Sequence, residues 1–182
     1  MTLKARRRTD PDRRERIIET TLDVVAIYGI EGTTHRRIAQ AADVSPGSVT
    51  YYFAGMEDLL QEAFAKLCEL MSSELQACLE GITTKEEALQ TMINWACEGT
   101  WTKPRNLVLL FELYAFAART PLMRPLLEQW MNTCATHLSQ YFDPATAKIL
   151  DAFIDGVILH NVVNRNYITR EEITSYVFKL TQ

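Results

Sequence analysis

The stretch TTHRRIAQAADVSPGSVTYYF, residues 33–53, decides the fold. Thr34 has a hydroxyl that can accept a bond from an otherwise orphan amide, so a helix is expected from His35 to about Ala42. Ile38, Ala39 and Ala42 give it a narrow apolar stripe. Asp43 falls where the chain must reverse, and its short polar side chain tolerates a left-handed backbone. Val44 can plug the corner. Ser45 then suits an N-cap and Pro46 a first helical position, since proline has no amide to leave unsatisfied. In the second helix Val49 and Phe53, four apart, face inward. Gly47, Ser48, Thr50 and Tyr51 face outward, with Tyr52 at the boundary.

Two short helices around a tight turn, with Arg36 and Arg37 beside a compact outer face, have the shape of a DNA-reading helix-turn-helix. The longer string GIEGTTHRRIAQAADVSPGSVTYYFAGMEDLL, residues 29–60, resembles the N-terminal signature of TetR-family transcriptional regulators. That signature typically reads glycine, Thr-Thr, Ile-Ala, Ala-Ala, Val-Ser, glycine, tyrosines and Phe, then Leu-Leu. The likeness runs from Arg13 to Leu60, about the first third of the chain, and within the family is nearest to the RcdA type. The remainder resembles the family only in length and helical layout.

The resemblance implies roles for particular residues. Arg36, two before the Ile-Ala pair, inherits base reading, and its guanidinium can bond guanine O6 and N7 together. Arg37 departs from the usual acidic residue. A cation in a first turn opposes the helix dipole, which points to phosphate rather than to stability. Pro46, Gly47, Ser48 and Thr50 can approach base edges, whereas Tyr51 and Tyr52 match positions that touch sugar and phosphate. Thr34 and Ser45 complete the DNA-facing set. Thr50 stands where tyrosine is common and Met56 where lysine usually meets phosphate, so selectivity is expected from Arg36, thymine methyl contacts and DNA shape.

Charge is divided along the chain. Residues 1–53 hold nine Lys or Arg against seven Asp or Glu, whereas residues 54–182 hold ten against sixteen, although the whole carries only −4. A basic end toward phosphate and an acidic body away from it suits DNA binding, because fields beyond a Debye length are screened. Residues 1–10 have no apolar periodicity and read as a disordered basic arm, whose Arg6, Arg7 and Arg8 can enter a minor groove or lie on phosphate. There is no apolar leader, and the most apolar run, Leu107 to Ala118, is short and interrupted by Glu112. A cytoplasmic protein with no membrane span and reduced cysteines is expected.

The chain reads as all-α, with about nine helices in two domains. Residues 11–55 form a three-helix DNA-binding domain, and residues 56–182 a helical ligand-binding and dimerisation domain. Pro11 can start the first helix, which buries Ile18, Leu22 and Val25 and breaks at Gly29 and Gly32. Its Arg13, Arg14 and Arg16 point outward, either to phosphate or to solvent. A lever helix is expected from Glu57 to Leu79, then a hinge at Gly81 and a capping box from Thr84 to Glu87. Five more helices are expected over 85–100, 104–118, 121–141, 144–164 and 170–180, with Pro125 one turn into its helix as a kink.

The second domain carries Trp95, Glu98, Trp101, Phe111, Glu112, Tyr114, Trp130, Cys134 and His137 at helical spacing. Most belong to the core. Family likeness implies an effector pocket among them, in which a buried Glu98 or Glu112 near Trp95 and Trp130 can receive a cationic or hydrogen-bonding molecule. An exposed position for either carboxylate remains equally open. Cys134 and His137 alone are weak evidence for a metal, and neither metal nor cofactor is expected. The last two helices carry Phe153, Ile154, Val157, His160, Ile173, Tyr176, Val177 and Leu180. The resemblance implies a homodimer closed by a four-helix bundle from these segments, with two reading heads about 34–36 Å apart on a roughly palindromic operator.

These readings converge on a DNA-binding regulator, in this family usually a repressor, that answers to an unknown small-molecule effector. An enzyme finds little support, since there is no phosphate-cradling glycine loop, no nucleophile elbow and no histidine with an evident partner. A thiol-based redox sensor using Cys68, Cys78, Cys97 and Cys134 is the second rival.

Overall fold

A computed structural model describes residues 12–164 and 167–182. Arg6, Arg7, Arg8 and Pro11 lie outside the described residues. Nine α-helices and two short 3-10 turns occur among the described residues, with no strand. The chain divides into two compact units, Met1–Ala63 and Phe64–Gln182.

In the first unit α1 (Arg13–Gly32), α2 (His35–Ala41), α3 (Pro46–Tyr52) and the opening of α4 (Met56–Leu79) surround one core. Ile17, Val25, Ile38, Val49 and Leu59 are fully buried there. Gly29 interrupts α1 at φ 67°, ψ 172°, so the chain turns before Thr33, whose hydroxyl donates to the Gly29 carbonyl at 2.7 Å. Only glycine takes such a backbone without a Cβ penalty. The first turns of α4 belong with this unit, because Leu59, Leu60 and Ala63 are buried and Glu62 pairs with Arg14.

The second unit holds the rest of α4 with α5 (Lys85–Glu98), α6 (Pro104–Arg119), α7 (Arg124–Leu138), α8 (Pro144–Val163) and α9 (Arg170–Leu180). After Leu79 the chain turns at Gly81, φ +79°, and the Tyr141 hydroxyl donates to the carbonyls of Leu79 and Ile82 at 3.2 Å each. The expected capping box forms: the Thr84 hydroxyl accepts from the Glu87 amide at 3.2 Å while the Glu87 carboxylate reaches back to the Thr84 amide at 3.1 Å. The amide of Thr83, which donates to the same carboxylate at 3.2 Å, and then that of Thr84 hold the Glu87 carboxyl below its ordinary range. An equivalent box at Thr169 and Glu172 opens α9, and Asp143 Oδ1 accepts from the amides of Ala145 and Thr146 to open α8.

One local expectation is corrected. Pro121–Met123 forms a 3-10 turn and α7 starts only at Arg124, so Pro125 sits in the first helical turn. There its missing amide has no intrahelical partner to lose, and it does not kink the helix.

The core of this unit is built from Leu89, Ile93, Trp101, Leu109, Leu113, Leu150, Val157 and Val177, each no more than 2% exposed. Removing such area from water is worth roughly 25 cal/mol per Å². That accounts for α8, whose sequence is apolar nearly all round.

Candidate nucleic-acid interface and interior cavity

The reading head is fixed by backbone closure more than by side-chain caps. Thr34 Oγ1 accepts from the Arg37 amide at 3.3 Å. Asp43 takes the left-handed backbone expected of it, φ 53°, and the reversal closes where the Val44 amide donates to the Ala39 carbonyl at 2.9 Å. Ser45 occupies the N-cap position of α3, but its hydroxyl makes no capping bond and lies 3.0 Å from the Ser48 hydroxyl. Val49 and Phe53 are buried, while Pro46, Gly47, Thr50 and Tyr51 are exposed. Tyr51 reaches 81% exposure and meets half-buried Tyr52 edge-on, ring centroids 5.1 Å apart. A Cβ built on Gly47 would meet nothing within 4 Å, so the protein's own packing does not require glycine there.

The arginines of this unit separate into two kinds. Arg14 pairs with Glu62 and lies over the Phe53 ring, 5.1 Å from its centroid. Arg16 Nε donates to the Ala42 carbonyl at 3.1 Å. Arg37 donates to the Gly32 carbonyl and stacks over Tyr28 at 4.3 Å. All three brace the protein's own fold, although Arg14 and Arg37 remain exposed, and Arg37 has a structural reason to replace an acid: it satisfies a carbonyl at the end of α1. Arg36 differs. It is exposed, with no hydrogen bond or ion pair among the described residues.

The second unit places the expected pocket residues in three settings. Trp95, Trp101, Trp130 and Cys134 line one interior cavity with Met71, Leu75, Met92 and Leu110. Its volume is about 20 Å³, room for about one water. Trp101 and Trp130 are only 2% and 5% exposed, and the Nε1 of each finds no hydrogen-bond partner among the described residues. Phe111, 41% exposed, and Glu98 line an outer cleft with Arg170. His137 lines open clefts beside α4, so it does not converge with Cys134.

Neither expected glutamate enters the cavity. Glu98 is exposed and held by Arg170 Nη1 at 2.9 Å, a tie between α9 and α5. Glu112 is half-buried and absent from the cavity wall. The carboxylates that do line it are Asp151 and Asp155, both half-buried on α8. The Tyr114 hydroxyl donates to Asp155 Oδ2 at 2.7 Å, its ring edge-on to Trp130. Burial pushes both acids up, Asp151 to about 7 with Asp155 adding to it. Tyr114 is pushed up too, by burial first and then by Asp155. Asp151 and Asp155 were visible in the sequence as two acids four apart in an otherwise apolar run, a pattern that demands an explanation.

Of the expected interface residues, Ile154, Val157, Ile173 and Val177 are buried within the chain itself, at 2% exposure or less. Their stripes face the unit's own core. The outer stripe of α8 instead carries Ile149, Phe153, Gly156, His160 and Val163 at spacings of three and four, and α9 exposes Tyr176 and Leu180.

Known proteins share these features. Residues 17–63 match the profile of bacterial regulatory proteins of the tetR family, and residues 83–182 that of the tetracyclin repressor-like C-terminal domain. The protein SCO7518 of Streptomyces coelicolor A3(2), described as a transcriptional regulator, is 39% identical, with 94% of this chain and 99% of that one covered at a TM-score of 0.86. The multidrug binding protein EbrR in complex with ethidium is 30% identical over 93% of this chain and 99% of its own, TM-score 0.80. HTH-type transcriptional regulator PksA of Bacillus subtilis (strain 168) is 24% identical, covering 92% of this chain and 87% of its own. None of these is named as an RcdA-type regulator. With both segments matched in order and a solved relative alike along its whole length, the chain belongs to the TetR family of transcriptional regulators.

Proposed function

We propose that the chain binds a roughly palindromic DNA operator as a homodimer and that a small aromatic effector, seated in the tryptophan-lined cavity, alters that binding. The observation that carries the DNA half is the contrast among the arginines: Arg14, Arg16 and Arg37 have partners within the protein, while Arg36 on α2 is exposed and unpaired among the described residues. Arg36 reads a guanine edge; Pro46, Gly47, Ser48 and Thr50 come against base edges; Tyr51 and Tyr52 touch the backbone. Arg37 and Thr34 hold the helix that presents Arg36, and the arm carrying Arg6, Arg7 and Arg8 adds phosphate contacts.

Residues 11–55 act as the reading head and residues 56–182 as the effector and dimer domain, with α4 the element common to both. The dimer forms through the outer stripe of α8 and the exposed side of α9, where Phe153, His160, Tyr176 and Leu180 lie. Gly156 allows close approach of a second copy, since a Cβ there meets nothing in its own protomer.

The effector reading draws on EbrR, solved in complex with ethidium, proflavin and malachite green. Opening the cavity for a molecule of that size must displace Met71 and Leu75 of α4, and a ligand shifts operator affinity only if it favours one arrangement over another. Fluorescence anisotropy of a bound operator duplex during titration with malachite green tests this. Release or tightening supports the coupling; unchanged affinity at saturating dye refutes it.

No observation favours the thiol-sensing alternative. Cys68 and Cys134 are pushed up to about 12 by burial, and Cys78 and Cys97 are raised by burial as well, so none gains thiolate character.

A further inference from the structure

The cavity combines two acids, two indole donors and no base. Asp151 and Asp155 stand one turn apart on α8, so their carboxylates are neighbours. The groups facing them can be named helix by helix. α4 presents Met71 and Leu75, α5 presents Met92 and Trp95, and the turn after α5 presents Trp101. From α6 come Leu110 and the Tyr114 hydroxyl, and from α7 come Trp130 and Cys134, with Cys68 of α4 close to Cys134. No lysine, arginine or histidine lines the cavity among the described residues.

Two adjacent carboxylates, half-buried and with no cation lining the cavity among the described residues, resist ionising together. Tyr114 donates to Asp155, which favours charge on that side chain, so the proton retained by the pair belongs mainly to Asp151. Separately, Trp101 and Trp130 are more than nine-tenths buried with their Nε1 donors unused, a cost of about 1–3 kcal/mol each that an acceptor atom would relieve. Together these groups describe a ligand that is positive and flat enough to lie against indole, and any acceptor atom it carries would satisfy an Nε1 of Trp101 or Trp130.

Resting on the effector reading above, we propose that Asp151 and Asp155 are the anionic anchor for an aromatic organic cation, which on entering displaces the proton they hold. One cation enters and one proton leaves to solvent, so the charge of the site is conserved. Uptake is therefore selective for cations over uncharged molecules of the same shape, and it weakens in acid. The soft walls formed by Met71, Leu75 and Met92 yield to admit a molecule far larger than the resting cavity.

Isothermal titration of the full chain, free of DNA, uses ethidium as the cation and phenanthridine as the uncharged parent ring. Each is run at pH 6 in MES and in bis-Tris, and at pH 8.5 in borate and in Tris, so that the different ionisation heats of two effective buffers count protons. Ethidium should release about one proton at pH 6 and almost none at pH 8.5, and bind about tenfold more weakly at pH 6. Phenanthridine should release none at either pH and bind more weakly than ethidium at pH 8.5. Asp151→Asn matches the protonated side chain in shape; it should fold as wild type, bind ethidium independently of pH and release no proton.

Ethidium binding without proton release at pH 6 overturns the proposal, as does phenanthridine matching ethidium at pH 8.5. Failure of ethidium to bind overturns it too. Operator binding, measured separately, stands or falls on its own, so loss of the cation site leaves the DNA reading intact and the reverse also holds.

Discussion

The reading head and the cavity of the second unit use charge in opposite ways. In the head Arg36, the cation we propose for base reading, is placed outside, and the neighbouring arginines are spent on carbonyls, a glutamate and aromatic faces. In the second unit two acids are drawn inward among indoles, where their charge is costly in the absence of a cation. A solvated arginine waiting for DNA costs the fold almost nothing, whereas a desolvated carboxylate pair stores a preference that a ligand can release. One region is poised by exposure, the other by desolvation.

The largest effect should come from Arg36. Arg36→Ala should leave the melting temperature unchanged, because the side chain is exposed and makes no hydrogen bond or ion pair among the described residues. Operator affinity should fall by about 1–3 kcal/mol for each head engaged. Anisotropy titration checks the second effect and thermal denaturation the first. A change in melting without a change in affinity would erase the distinction between Arg36 and its braced neighbours.

Gly156→Leu sharpens the comparison on the outer side of α8. Within a protomer the Cβ of the new side chain meets nothing within 4 Å, and leucine improves helix propensity by up to about 1 kcal/mol. Between protomers it overpacks a close approach at a cost of about 1–3 kcal/mol. Sedimentation velocity should show dissociation at concentrations where the wild type is paired, with protomer stability undiminished.

The acid pair predicts a pH signature of the opposite sign to that of capping carboxylates. Asp151 is raised in the folded state, so its stabilising share is complete below the unfolded carboxylate range and is lost as pH climbs toward about 7. Relative to wild type, Asp151→Asn should gain stability across that window by at most about 1.4 kcal/mol per pH unit, measured by urea denaturation from pH 4 to 8. Glu87 and Asp143, held low by their amide bonds, act the other way: their share is present above the unfolded range and fades in acid.

The smallest effect concerns a brace. Arg37→Ala removes the bond to the Gly32 carbonyl and the stack on Tyr28, worth together about 1 kcal/mol at an exposed site. Melting should drop by a few degrees, and affinity should fall much less than for Arg36→Ala.

How much of this was legible beforehand follows the same division. The turn at Asp43, the start at Pro46, the inward pair Val49 and Phe53 and the box at Thr84 could all be read directly, because each is enforced by neighbours within a few residues. α9 was placed correctly at both ends for that reason, whereas α7 was started three residues early because a proline was taken as its opening. The brace that Arg37 makes could not be foreseen because its partners lie at the end of another helix, and a sequence does not say which carbonyl a guanidinium will find. Glu98 and Glu112 were chosen for their nearness in sequence to tryptophans, yet helix phase turns Glu98 outward to Arg170. Asp151 and Asp155 were passed over inside a helix read only for its apolar residues. Which of two apolar stripes on α8 faces the core is a tertiary outcome, and that is why Ile154 and Val157, expected at an interface, lie buried in the protomer's own core while Ile149, Phe153 and Gly156 fall on the outer stripe.

The most direct measurement is retention of duplex DNA by the purified chain across a salt series, with fragments drawn from a random pool. Selection of a two-fold symmetric sequence, with affinity falling steeply as salt rises and nearly lost in Arg36→Ala, is the expected result. If no duplex fragment is retained even at the lowest ionic strength, Arg36 and the outer face of α3 are not a DNA-reading surface.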